Sequence, residues 1–253
     1  MQRDWEARAR KDAFHYIASW KKGWDAESFL ASGEDDYRRM IAPVLQRWGI
    51  ALDGTILELG CGAGRMTGSL ARRWQRVLAY DISQEMLTKA KALHQDANNI
   101  VWQLSSGTDL APAQTGSVDF VFSYIVLQHL PEEPLVAHYV AEMLRVLRPG
   151  GVALFQYDGA VRPTMNWRGQ VAWKIVDVLW AAGLNAFSRR LARAVGGDPE
   201  IAGKTWRGVK VPAERMRGYV RTAGGDIREM TGETTPMAWC LASKTAGGAH
   251  AEC

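Results

Sequence analysis

Five short apolar runs set the pattern of the chain, at residues 55–59, 77–80, 100–104, 118–122 and 152–157. Polar residues barely interrupt them, whereas a strand wetted on one face alternates. Helical patterns separate the runs. That rhythm predicts parallel strands with helices on both faces, a doubly wound α/β sheet. Helices are expected over 65–74, over 84–94 with Ser83 as its cap, and from the prolines Pro131 and Pro134 to Leu147. Pro149-Gly150-Gly151 then turns the chain into the fifth strand. A further helix is expected from Pro212 to about Ala223. Residues 226–231 and 237–243 alternate weakly and read as a last strand pair around the turn at 232–236.

Ahead of the first strand the period changes to that of a helix. Trp5, Ala9, Ala13 and Tyr16 fall three or four apart. Ser32-x-x-Asp35 resembles a capping box and is expected to open a helix reaching about Trp48. Two readings of residues 1–48 stay open. The helices pack on the sheet, or Trp5, His15, Tyr16, Trp20 and Trp24 form an aromatic lid over a pocket.

The candidate chemistry lies where the first strand ends. Glu58-Leu59-Gly60-Cys61-Gly62-Ala63-Gly64-Arg65 is a glycine turn between strand and helix. Glycines there permit backbone angles, and a closeness of approach, that a Cβ blocks. A helix start beyond such a turn suits an anionic group. Asp81 ends the second apolar run, placed to accept hydrogen bonds from ribose hydroxyls. Together these make a nucleoside-binding unit. The dinucleotide pattern G-x-G-x-x-G requires a third glycine where this chain has Arg65 or Thr67.

The spacing E-x-G-x-G-x-G resembles instead the class I S-adenosylmethionine-dependent methyltransferases, small-molecule type, with a type 11-like core. The resemblance continues through Asp81-Ile82, Ser106-Gly107-Thr108-Asp109-Leu110, the fourth strand up to Ser123-Tyr124, and Leu144-Arg-Val-Leu-Arg-Pro-Gly-Gly151. It implies a Rossmann-like seven-stranded sheet whose last two strands form an antiparallel edge hairpin. It implies S-adenosyl-L-methionine as cofactor. The residues it puts at the cofactor are Glu58, Gly60, Cys61, Gly62, Gly64, Arg65, Asp81, Ile82, Met86, Ser106, Gly107, Thr108, Ser123, Tyr124 and Gln128. The family often has Asp or Asn where Ser106 stands, so Asp109 is an alternative for the adenine contact. Past the fourth strand, Tyr124 and His129 are the candidates for catalysis, His129 as a base or as a residue that only lines the cofactor. Asp158 either orients a substrate or caps the turn at Gly159.

Composition adds boundaries and one asymmetry. At 253 residues, the chain suits one α/β domain with attachments, or at most two domains. The expected parts are an N-terminal extension (1–48), a cofactor-binding core (49–159), a helical cap insertion (160–210), a C-terminal helix and strand pair (211–244), and a tail (245–253) expected to fray. The formal charge of +4 is uneven, because residues 162–210 hold nine basic against three acidic side chains. That insertion carries Trp167, Trp173, Trp180 and Trp206, and the basic group Arg189, Arg190 and Arg193. It is expected to be a substrate cap, the face of a homodimer, or a membrane-surface contact, the cap being favoured. No nucleic-acid module is recognised in it. Gly203-Lys204-Thr205 ends like a phosphate loop, but Asp198 stands where that loop needs glycine. Cys61, Cys240 and Cys253 have no metal or redox spacing, which with the charged N-terminus suggests a cytoplasmic protein and no metal site.

The reaction expected is methyl transfer to an O, N or C nucleophile of a small molecule, hydrophobic or acidic. The alternatives are a regulatory or scaffold protein of the same fold, and a nicotinamide-dependent oxidoreductase.

Overall fold

The computed structural model describes residues 1–160, residues 208–245, and residues 171–194 other than 173, 177, 180 and 181. Seven strands form one sheet in the order β3-β2-β1-β4-β5-β7-β6. They are β1 (Thr55–Leu59), β2 (Arg76–Asp81), β3 (Ile100–Leu104), β4 (Val118–Ser123), β5 (Leu147–Tyr157), β6 (Gly225–Thr231) and β7 (Ala238–Lys244). β1 to β5 run parallel, and β7 runs antiparallel to both β5 and β6. The doubly wound sheet and its edge hairpin are as the sequence leads one to expect.

Period-two alternation divides the core. Ile56, Phe120 and Phe122 face one side, with Leu45, Leu70 and Leu87 packed on them. Leu57, Leu59 and Val121 face the other, against Val140, Leu144, Met216 and Val220. The continuous apolar runs reflect burial on both faces. The covering helices are α4 (Thr67–Ala71), α5 (Gln84–Leu93), α6 (Glu133–Val146) and α8 (Ala213–Thr222), and a further helix, α7 (Asn185–Ala194), precedes α8 in the chain. Ser83 caps α5, its hydroxyl accepting from the Met86 N–H at 3.2 Å.

Three local expectations need correction. The helix expected from Arg65 begins only at Thr67, because Gly60, Gly62 and Gly64 all have positive φ and the turn uses up residues 60–66. Pro131 lies ahead of α6, and Pro134 alone sits in its first turn. Pro149-Gly150-Gly151 lies inside β5 rather than before it. Val118 pairs with Leu147 and Phe120 with Val152, so the three residues bulge out of the ladder, with Gly150 at φ +76°.

The N-terminal helices are α1 (Gln2–Ile17), α2 (Ala26–Asp36) and α3 (Ala42–Trp48), with a π-turn over Tyr37–Ile41 joining the last two. α2 starts seven residues before the expected one. Its cap is Asp25, which accepts from the Ser28 N–H at 2.8 Å. Ser32 lies mid-helix and donates to the Phe29 carbonyl at 2.7 Å. α2 sits so close to the glycine turn that a Cβ on Gly33 would overlap the Arg65 carbonyl. Glu34 clamps α2 to the residues just past α4, taking Arg72 at 2.7 Å and Arg73 at 2.6 Å, and these cations hold its carboxyl down at about 2.

Trp167, Trp173, Trp180 and Trp206, the phosphate-loop look-alike, the side chains of Arg189 and Arg193, and the tail from 246 lie outside the described residues. Among those described, no helix is long and apolar enough to cross a membrane.

Candidate active site

The glycine turn folds over the end of β2. The N–H groups of Gly60 and Cys61 donate to the Tyr80 carbonyl at 2.7 and 2.9 Å. The Gly62 N–H donates to Asp81 Oδ2 at 2.8 Å, and the Ser83 N–H to Asp81 Oδ1 at 2.8 Å. One carboxylate therefore fixes the turn and the start of α5 together. A Cβ on Gly60 would overlap Val126 Cγ2, and one on Gly62 would meet Ile17 Cδ1 at 2.6 Å. The turn is thus packed from both sides, by the loop after β4 and by α1.

A cavity opens beside it. Among the predicted residues, Glu58, Gly60, Cys61, Gly62, Arg65, Asp81, Ile82, Met86, Tyr124 and His129 line it. Gly64, Ser106, Gly107, Thr108, Ser123 and Gln128 do not. Gly64 packs behind the turn, where the His94 ring N–H donates to its carbonyl at 2.8 Å. Ser123 is fully buried and donates to the Leu59 carbonyl at 3.3 Å. Gln128 is engaged by Gln156.

At the loop after β3 the cavity is lined by a neighbour of the expected residue. Ser105 lines the cavity and Ser106 is exposed. The Ser105 N–H donates to the Asp81 carbonyl at 2.8 Å, continuing the pairing of β3 with β2, so alternation turns its side chain inward and that of Ser106 outward. Ser106 Oγ instead accepts from the Thr108 N–H at 3.1 Å within the loop. Asp109 accepts from the Ala111 N–H at 3.0 Å. Asp158 accepts from the Ala160 N–H at 2.9 Å and pairs with Lys210 at 3.5 Å, which makes it the turn's cap.

The rest of the lining comes from residues that sequence motifs pass over. Met1, Trp5, Tyr16 and Ile17 of the N-terminal helix reach the cavity. Trp5 meets His129 edge to face at 5.4 Å. The Glu6 carboxylate accepts from the Gln84 N–H at 2.6 Å and the Glu85 N–H at 3.3 Å, tying α1 to the start of α5. An acid at a helix N-terminus is favourable. α1 kinks at Asp12, whose carboxylate accepts from the His15 N–H at 3.0 Å and restarts the helix. Tyr139 of α6, and Ile125, Val126 and Leu130 after β4, complete the walls. The aromatic stripe of α1 was the one signal in the sequence for the first group.

Burial dominates the electrostatics. Glu58 accepts from Thr67 Oγ1 at 2.6 Å, yet desolvation raises its carboxyl to about 7. Desolvation raises Asp81 to about 6 against the pull of its backbone donors. Burial also raises the Cys61 thiol and the Tyr124 phenol. Arg65 and Asp36 form a buried pair at 2.7 Å, with the Trp20 ring 5.2 Å from the guanidinium. Arg39 holds the same carboxylate from outside.

A family model for a methyltransferase domain matches residues 57–155. In sequence the chain is 36% identical over 135 residues to the trans-aconitate 2-methyltransferase of Azoarcus sp., covering 53% of this chain and 50% of that protein. It is 36% identical over 98 residues to a ubiquinone biosynthesis O-methyltransferase of Xanthomonas oryzae, covering 38% and 39%. The chain thus spans half or less of these relatives' length. Among solved structures, magnesium protoporphyrin IX methyltransferase from Synechocystis with bound SAH superposes at a TM-score of 0.58 with 16% identity, over 91% of this chain and 93% of that one. A phosphoethanolamine N-methyltransferase of Haemonchus contortus superposes at 0.63 with 16% identity, over 100% of this chain and 51% of that one. At that identity the likeness is one of fold. The strands, the glycine turn with its acid, and the matched span converge: residues 57–155 match a type 11 methyltransferase domain.

Proposed function

We propose that the protein transfers the methyl group of S-adenosylmethionine to a nucleophilic atom of a small molecule. The observation that carries this reading is the glycine turn locked onto Asp81 beside a cavity that also holds Glu58. The donor set fits the cofactor. Asp81 offers carboxylate oxygen to ribose hydroxyls, Glu58 an acceptor for an ammonium group, and Ile82 and Met86 an apolar wall for a base. The cofactor's sulfonium supplies an activated methyl group, so the chain has to align the acceptor and exclude water. α1 roofs the cavity with Met1, Trp5, Tyr16 and Ile17, which supports the lid reading of the N-terminal extension. Tyr124, with its phenol held protonated by burial, acts as a hydrogen-bond donor. His129 then remains as the group to take a proton from an acceptor that must lose one.

A hydrophobic acceptor fits the cavity's aromatic walls, an acidic one would meet Arg65, which lines the cavity while paired with Asp36, and trans-aconitate, named for one relative, is a small acid. Residues 160–210 serve as a substrate cap in this proposal, with Arg190 exposed on α7. A reducing, cytoplasmic setting agrees with Cys61 and Cys240, both buried and free.

Thermal unfolding with S-adenosylmethionine, S-adenosylhomocysteine and NAD in parallel tests the cofactor. Ligand at 100 times Kd adds about 2.7 kcal/mol, or roughly 5–10 °C for a domain of this size. A shift with the two adenosyl amino acids and none with NAD is the expected result. A shift with NAD alone, or none at all, defeats the proposal. Radiolabelled methyl transfer to a panel of small carboxylic acids and phenols then identifies the acceptor class.

A further inference from the structure

Ile125, in the cavity wall, has φ +56°, a left-handed conformation that a β-branched residue rarely adopts. Something must hold it there. Its N–H donates to the side-chain Oε1 of Gln156 at 3.1 Å. Gln156 is the penultimate residue of β5 and is wholly buried. The two N–H groups of its Nε2 are shared among three acceptors, Gln128 Oε1 at 2.8 Å, the Pro236 carbonyl at 2.7 Å and the Tyr157 carbonyl at 2.9 Å. One amide therefore joins the loop after β4, the short helical turn Leu127–His129, and the turn between β6 and β7.

The residues it grips are the neighbours of both catalytic candidates. Ile125 follows Tyr124, and Gln128 precedes His129. The Tyr124 ring is fixed from a further side by stacking on Trp239 at 5.4 Å, and Trp239 is the residue paired with Gln156 across β5 and β7. β4 pairs with β5 only as far as Ser123 with Phe155, so the Gln156 side chain takes over where the backbone ladder stops. A buried amide with every group engaged specifies one arrangement of the strands it bridges.

We infer that Gln156 is the positioning residue of the acceptor side of the cavity. It holds Ile125 in its left-handed conformation and thereby sets Tyr124, and through Gln128 it sets His129. The inference rests on the proposed methyl transfer for its purpose, but the positioning itself is measured without turnover. Two variants separate its arms. Gln156→Met keeps length and volume and removes every hydrogen bond. Gln128→Ala removes only the arm to the helical turn. The readouts are amide hydrogen exchange at Ile125, the His129 imidazole resonance in protein carrying 13C-labelled histidine (assigned with His129→Gln), and the Kd of S-adenosylhomocysteine.

In Gln156→Met, the Ile125 amide exchanges ~10-fold faster or more, as expected for a lost hydrogen bond, and the His129 resonance moves. In Gln128→Ala, the His129 resonance moves while Ile125 stays protected. Exchange in β1 and β2 is unchanged in both variants, which general loosening would not allow. S-adenosylhomocysteine affinity stays within about threefold of wild type, since its proposed site lies on the glycine turn. An Ile125 amide that exchanges equally fast in wild type and Gln156→Met overturns the inference. So does a His129 resonance unmoved in both variants. Failure of the wild-type protein to bind S-adenosylhomocysteine defeats the cofactor reading instead, leaving the exchange result to decide the positioning.

Discussion

Glu58 lies buried on β1 with its carboxyl raised to about 7. The rise from its usual 4.5 corresponds to roughly 3 kcal/mol between the two protonation states. The sign follows from linkage. A carboxyl raised in the folded state stabilises the fold fully below the unfolded pKa, and that contribution is lost as pH climbs through the folded one. The ligand-free protein should therefore lose up to about 3 kcal/mol from this group between about pH 4.5 and 7, with Asp81, raised to about 6, adding a loss at the lower end. Glu58→Gln keeps an oxygen for the Thr67 hydroxyl and removes the ionisation. At pH 8 it should raise the melting temperature of the free protein by several degrees, at roughly 2–4 °C per kcal/mol. Cofactor binding should run the other way. A cationic amino group near Glu58 favours its ionised form, so binding releases a proton below pH 7 and tightens as pH rises from 6 to 8. Calorimetry of S-adenosylhomocysteine in buffers of different ionisation enthalpy counts that proton. In Glu58→Gln, binding at pH 8 weakens and the dependence between pH 6.5 and 7.5 disappears, leaving only the step near 6 from Asp81. An unchanged pH slope in the variant, or a variant less stable than wild type at pH 8, refutes the reasoning.

Other perturbations follow from the same geometry. Gly60→Ala forces a Cβ into Val126 at φ +78° and should abolish detectable S-adenosylhomocysteine binding by calorimetry, while Gly23→Ala, with open space around it, keeps full affinity. Arg65→Met leaves Asp36 buried with only the exposed Arg39, at a cost of about 3 kcal/mol in urea unfolding; adding Asp36→Leu should recover most of it. Glu6→Ala removes the acid from the α5 N-terminus, a loss of about 1 kcal/mol. It should speed protease cleavage within residues 1–17 and increase the dissociation rate of S-adenosylhomocysteine in stopped flow.

The parallel strands, their order of appearance, the glycine turn with Asp81, and the Ser83 cap were legible in the chain because each signal is local. Doubly buried strands read as apolar runs, positive φ selects glycine, and a cap lies three residues from the N–H it serves. The cap at Asp25 was equally local, standing three before Ser28, but Ser32-x-x-Asp35 imitated it further along the same helix. That Ser105 rather than Ser106 faces the cavity was not legible, since it depends on how far β3 continues to pair with β2. Nor was the exclusion of Gly64 from the cavity, which follows from His94 lying 30 residues away in sequence.

The sequence by itself determined that a nucleoside-type turn would stand at the end of the first strand of a doubly wound sheet, and which acid would serve it. Only the tertiary structure decided what else faces the cavity. The roof depends on Glu6 meeting residues 78 and 79 positions away, and the far wall on Gln156 reaching Ile125 31 positions back. A local pattern fixes which way a backbone runs and which face it buries. Which polar group it meets across the fold depends on register and packing between distant segments, and no short window of sequence encodes that.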